Sequence, residues 1–149
     1  LEGSLRFGLY HVYIRWNERD IVERVRFLKK EFPGNVPPSF RSYFAGKVTL
    51  LSPLLSVHVG QDGVFGQIYK IVSDIPYGET RTYKEIADLA GTGARVVGMA
   101  MKRNLTPIII PCHRVVSSDG IGGFTPDVQI KKDLLDLEKK VLKRLENLN

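Results

Sequence analysis

The sequence predicts an α+β protein. A small N-terminal α/β lobe over residues 1–57 precedes a mainly helical C-terminal domain over 58–149, which contains a helix-turn-helix and the single cysteine. Three observations carry that prediction. Apolar residues near the N-terminus recur every second position, as on a half-buried strand. Between Thr82 and Arg103 two short amphipathic segments flank a glycine turn, the pattern of two helices meeting at a tight corner. From Val128 onward apolar residues recur every three or four positions, one face of a long helix.

Leu5, Phe7 and Leu9 alternate, then the apolar parity moves to Tyr10, Val12, Ile14 and Trp16. Residues 5–16 therefore read as one or two strands with a bulge or slip near Gly8 to Tyr10. A polar turn follows, and Asp20 with Glu23 makes a capping pattern for a helix over 21–31 whose face is Ile21, Val25, Leu28 and Phe32. Phe32-Pro33-Gly34 ends it. A short helix over 39–45 closes at Gly46. Residues 48–62 connect the lobes and are too apolar for a free linker, so they are expected to pack on one lobe's surface.

Val64, Ile68, Ile71, Val72 and Ile75 recur at helical spacing until Pro76-Tyr77-Gly78 breaks the pattern. Thr82 and Glu85 form a capping box for a helix to Ala90, with Tyr83, Ile86, Ala87 and Ala90 inside. Gly91-Thr92-Gly93 turns the chain into a second helix over 94–103. An ordinary helical hairpin fits the same pattern. What sets this one apart is the outer face of its second helix, where Arg95, Gly98, Met99 and Lys102 align. Two cations and a residue without a side chain make a surface that can approach a nucleic-acid backbone closely.

The run Ile108-Ile109-Ile110 favours a buried strand, and Pro111 ends it by removing a backbone donor. Cys112 then lies at the end of that strand, at the floor or wall of a cleft. A lone buried cysteine commonly acts as a small hydrophobe. Residues 117–127 form a loop rich in glycine (Gly120, Gly122, Gly123) whose backbone can approach a ligand. The inner stripe of the last helix, over 128–148, runs Ile130, Leu134, Glu138, Val141, Leu145, Leu148. Burying the ionised Glu138 alone would cost several kcal/mol, so it needs a cationic or donor partner or a place at the stripe's edge. His113 is such a partner. A Glu–His–Cys chain orients the imidazole to take the thiol proton, directly or through a water, and raises the thiolate fraction of a group whose free pKa is about 8.5.

Pro111-Cys112-His113-Arg114-Val115 resembles the active-site signature of the O6-alkylguanine-DNA alkyltransferases, or methylated-DNA–protein-cysteine methyltransferases. The resemblance continues upstream through Tyr77-Gly78-Glu79, Thr82-Tyr83, Ala90-Gly91, Ala94-Arg95-Val96-Val97-Gly98 and Lys102-Arg103-Asn104. Downstream it takes in Gly122-Gly123-Phe124 and Leu134-Leu135-Asp136-Leu137-Glu138, so that about half the chain is covered in one order. It implies a DNA repair protein that moves the alkyl group of O6-alkylguanine, and of O4-alkylthymine, irreversibly onto its own cysteine after flipping the base. Cys112 would be the nucleophile, activated by His113 and Glu138, and Tyr83 would protonate the departing guanine. Backbone groups of Cys112, Val115, Phe124 and Thr125 would read the guanine edge. Arg95 would fill the gap left in the duplex, with Ala94, Gly98 and Lys102 against the minor groove. Asn104 would tie the second helix to the active-site strand. The resemblance implies double-stranded DNA carrying alkylated guanine as partner, no cofactor, no metal, and a monomer. Two features depart from the family pattern: Phe124-Thr125-Pro126-Asp127 replaces an aromatic-Ser-Gly-Gly, losing an N–H at Pro126, and the Thr92-Gly93 turn is short.

The bulk numbers agree with a polyanion partner without demanding one. The 149 residues carry a net charge of +6 and are 43% hydrophobic, enough for a real core. Residues 1–57 hold 9 Lys/Arg against 5 Asp/Glu, and residues 58–149 hold 13 against 11. One cysteine excludes an intramolecular disulfide and a multi-cysteine zinc site. A reactive thiol must stay reduced, so a reducing cytoplasmic setting is expected; no apolar run approaches the roughly 20 residues of a membrane span, and no secretory leader is visible. Three rivals remain in view: a non-catalytic alkyltransferase-like lesion binder, which lacks the nucleophile; a cysteine hydrolase, whose Cys and His are normally dispersed; and a plain helix-turn-helix regulator, which leaves Cys112 and Glu138 unexplained.

Overall fold

In the computed structural model, which describes residues 1–148, the parity switch after Phe7 is a hairpin and not a bulge. Strands β1 (Glu2–Phe7) and β2 (Tyr10–Trp16) pair antiparallel, with Phe7 opposite Tyr10. Gly8, at φ 60°, supplies the left-handed turn residue.

The helix expected over 21–31 is instead a strand, β3 (Ile21–Leu28), antiparallel to β2. Arg15 pairs with Arg24 but Trp16 pairs with Val22, so Glu23 is an extra residue in the ladder. Buried Val22 and Val25 are therefore three apart, although Val25 and Phe27 keep the strand period of two. The helical reading rested on Ile21, Val25, Leu28 and Phe32, whereas the sheet buries Val22, Val25 and Phe27. Ile, Val and Phe, which favour strands, decide the matter in the sheet. Asp20 is a turn residue at φ 63° and caps nothing.

Helix α1 (Pro38–Phe44) lies close to the expected 39–45 and buries Phe40 and Tyr43. The connection over 48–62 does pack on the first lobe. It adds strand β4 (Leu55–Ser56), parallel to the start of β3, giving the sheet order β1-β2-β3-β4. Helices α2 (Gly63–Ser73), α3 (Tyr83–Ala90) and α4 (Ala94–Lys102) follow the sequence expectation. Thr82 and Glu85 close the capping box reciprocally. Helices α3 and α4 form the helix-turn-helix.

The expected strand over 108–110 does not form. Ile108 has φ 77°, unusual for a β-branched residue, and the segment makes only an isolated bridge between Pro107 and Ile110. Its side chains diverge: Ile108 enters the core shared by the sheet, α1 and helix α5 (Val128–Glu146), while Ile110 and Val115 enter the core of α2, α3 and α4. Burying each isoleucine is worth about 1.5–3 kcal/mol, which holds an irregular backbone at the seam of the two cores. Cys112–Arg114 is one turn of 3-10 helix. It leads into β6 (Val115–Val116), paired in parallel with β5 (Arg81–Thr82), a ladder with no sequence signal strong enough to show it.

On α5 the buried stripe holds Ile130, Leu134, Glu138 and Val141, but Leu145 and Leu148 are 39% and 76% exposed. The helix outruns the core after Val141, where Gly46 packs and accepts a hydrogen bond from Arg144. Asn149, the last residue of the expected C-terminal domain, lies outside the described residues. No described helix is long and apolar enough to cross a membrane.

Candidate active site

Pro111 leads into the 3-10 turn, which brings Cys112 to a cleft while His113 and Arg114 are buried. The cysteine is 7% exposed. Burial raises its thiol pKa; the Asn104 side chain and then Lys131 pull it back down. Asn104 sits just past α4, donates from Nδ2 to Ile110 O at 3.0 Å and accepts from Thr106 N–H at 3.0 Å. These bonds tie the end of α4 to the segment before the cysteine, which is a bend and not a strand.

Behind Cys112, Glu138 is fully buried and satisfied by five donors. Its Oε2 accepts from His113 Nε2 at 2.7 Å, Tyr43 Oη at 2.5 Å and an Arg114 terminal nitrogen at 2.9 Å. Its Oε1 accepts from Arg114 Nε at 2.9 Å and Gly78 N–H at 3.0 Å. Burial alone would raise the Glu138 pKa, but the His113 and Arg114 contacts hold it far below the ordinary carboxylate range. The Arg114 fork was missed in the sequence because its position beside His113 gave no sign that both turn inward. Tyr43 arrives from α1 in the first lobe, ninety-five residues away along the chain, and no spacing rule could have found it. Gly78 carries a real requirement: at φ 80°, a Cβ there would lie 2.0 Å from Leu142 of α5.

An ionised Glu138 fixes the proton of neutral His113 on Nε2. Nδ1 is left buried with no partner among the described residues, a free basic nitrogen. Burial lowers the His113 pKa from 6.5, with Arg114 and Lys131 adding to it against the pull of Glu138. Arg114 already balances the carboxylate, so a protonated imidazole would be a surplus charge. Both shifts are depressions, and the sign follows: below pH 6.5 the unfolded chain takes up a proton at His113 that the folded one refuses. Stability is accordingly expected to fall as pH drops through that value, by up to about 1.4 kcal/mol per pH unit. Glu138 adds a loss of the same sign below its unfolded value of 4.5. Urea midpoints from pH 8 to 5 check this, and His113→Asn should flatten the upper part of the curve.

Lys131 is the other residue the sequence did not single out. It is fully buried, and its ammonium donates to Val115 O at 2.5 Å and Gly123 O at 3.1 Å, tying the glycine loop to the cysteine turn. Burial lowers its pKa to about 8. The spacing 131, 134, 138, 141 is itself one helical face, the signal that could have found it.

A cleft of about 570 Å³ opens beside the thiol. Of the sequence-predicted residues it brings together Cys112, Tyr83, Asn104, Gly98, Lys102, Phe124 and Thr125. His113 and Glu138 stand behind the cysteine without exposure, and Val115 is buried with its carbonyl already engaged by Lys131. Ala94 and Arg95 are exposed at the start of α4, outside the cleft lining. The β5–β6 ladder places Tyr83 beside the cysteine turn, since Thr82 pairs with Val116.

The family model described as 6-O-methylguanine DNA methyltransferase, DNA binding domain, matches residues 64–140. The chain belongs to this family. A methylated-DNA–protein-cysteine methyltransferase of Saccharolobus islandicus is 45% identical over 98 residues, covering 64% of this chain and 62% of that protein. The Metallosphaera sedula protein of the same name is 38% identical over 102 residues, 68% of this chain and 65% of its own. This chain thus aligns with just under two thirds of the length of these curated relatives. Among solved structures, Mycobacterium tuberculosis OGT in complex with DNA superposes with a TM-score of 0.77 at 29% identity, over 93% of this chain and 92% of that one. The O6-methylguanine-DNA methyltransferase of Pyrococcus kodakaraensis gives 0.69 at 27% identity, over 92% and 97%. The likeness to these two structures therefore extends into the first lobe, beyond the residues that the family model matches.

Proposed function

We propose that this alkyltransferase-family chain repairs duplex DNA by taking the alkyl group of O6-alkylguanine, and of O4-alkylthymine, onto Cys112 in a single irreversible turnover. The observation that carries the reading is a lone thiol opening on a cleft of about 570 Å³ and backed by an oriented His113–Glu138 pair. His113 Nδ1, which makes no hydrogen bond to the thiol in the structure, receives the thiol proton through a bridging water, and Cys112 Sγ attacks the alkyl carbon. The carbon–oxygen bond breaks and its electron pair stays with guanine, which Tyr83 protonates as it leaves. Burial raises the Tyr83 pKa, so its hydroxyl keeps that proton at neutral pH. Cys112, Phe124 and Thr125, which line the cleft, offer backbone groups to the base edge; Val115 does not line it, and its carbonyl accepts from Lys131.

DNA docks on α4. A side chain at Gly98 would meet no atom within 4 Å, so the fold does not require glycine there, and a groove approached closely supplies the reason. Arg95 enters the stack as the base flips out, Ala94 and Lys102 flank it, and Asn104 couples α4 to the nucleophile. Residues 58–149 carry the chemistry, residues 1–57 complete its support, and the protein acts as a monomer without cofactor in a reducing, cytoplasmic setting.

Intact mass after mixing with duplex DNA containing O6-methylguanine tests this. One methyl per protein is expected, mapped to Cys112 and absent in Cys112→Ser. Repeated turnover would refute the stoichiometric reaction, and lesion binding with no mass gain would place the chain among non-catalytic lesion binders.

A further inference from the structure

Strand β3 forms the wall of the cleft opposite α4, and two of its side chains have no role in the mechanism above. Arg24 and Arg26 line the cleft together with Lys102, and no carboxylate lines it. The fold gives Arg24 an unfavourable place, directly opposite Arg15 in the β2–β3 ladder. Like charges facing each other across strands destabilise a sheet. Arg15 is relieved by Glu23 at 3.4 Å. Neither Arg24 nor Arg26 has an acidic partner among the described residues.

Their placement is firm. Val25 and Phe27 alternate with them and are buried, Val25 N–H bonds Leu105 O at 2.9 Å, and Phe27 meets the Phe124 ring edge-on at 5.6 Å. Strand β4 covers only Ile21 and Val22, so no described strand covers the edge of β3 beyond them. Residues two apart on a strand are about 6.6 Å apart, close to the separation of neighbouring phosphates along one nucleic-acid strand. A base drawn into the cleft leaves its sugar-phosphate chain at the rim, where these cations stand.

We propose that the β3 rim is a second DNA-contact surface, on which Arg24 and Arg26 hold backbone phosphates flanking the flipped nucleotide from the side opposite α4. This rests on the base-flipping repair proposed above and gives the first lobe a direct part in it.

The test uses the full chain with Arg24→Gln, Arg26→Gln and the pair. Arg15→Gln is the control, on the neighbouring strand β2 and outside the cleft lining. Affinity for O6-methylguanine duplex is measured by fluorescence anisotropy across a salt series, in a Cys112→Ser background to prevent reaction. Each phosphate contact contributes about 0.9 to the slope of log affinity against log salt, so the pair should flatten it by about 1.8. Arg15→Gln should leave the slope alone. With Cys112 intact, the pair should slow repair of the duplex while reaction with free O6-benzylguanine is unchanged, since the free base brings no phosphate. An unchanged slope in the double variant, or an equal change in Arg15→Gln, overturns the proposal. So does an equal loss on the free base, which would put the arginines in base binding. Failure of the unsubstituted protein to gain any alkyl mass would instead refute the repair reading itself.

Discussion

Glu138→Gln should lose about 3–5 kcal/mol of unfolding free energy, the cost of leaving a buried charge without its partner. Both carboxylate oxygens accept from two or three donors, so the glutamine NH2 must face donors in either orientation. Arg114 would then keep its charge inside with nothing to balance it. A domain of this size has about 5–15 kcal/mol in total, so urea unfolding should show a large fall in midpoint. Tyr43→Phe removes one donor and leaves the ion pair, and should cost less, about 1.5–3 kcal/mol for a hydrogen bond to a charged group. A Glu138→Gln loss below that of Tyr43→Phe would mean that Arg114 finds water or another acceptor, and the hub described here would be wrong.

Tyr83→Phe should slow alkyl transfer by about 10²–10⁴-fold, the usual worth of a positioned general acid. The substitution removes only Oη. The ring would still pack against Gly122 and lie beneath the Lys131 ammonium, 5.7 Å from its centroid, so the melting temperature should hardly move. Because the proton goes to the leaving base, the loss should be similar for duplex DNA and for a free O6-alkylguanine. Single-turnover rates on both substrates decide it. A fall of less than about tenfold would mean that the departing guanine takes its proton from solvent.

The sequence by itself determined the chemistry-bearing order of residues. Helical spacing exposed Glu138 as a carboxylate on an apolar face, and the capping box and glycine turn placed α3 and α4 close to where they lie. These signals are local, set by the period of a helix and by what its ends must satisfy. Tertiary structure alone decided the rest. Ile21, Val25, Leu28 and Phe32 look like one helical face until pairing with β2 makes the segment a strand with an extra residue at Glu23. Ile108 to Ile110 look like a strand until one core claims Ile108 and Ile109 and another claims Ile110. Arg114, Tyr43 and Gly78 meet on Glu138 from three distant segments. The physical reason is common to all of them: a buried charge or an irregular turn is stabilised by whatever groups the packing brings to it, and sequence separation carries no record of that approach.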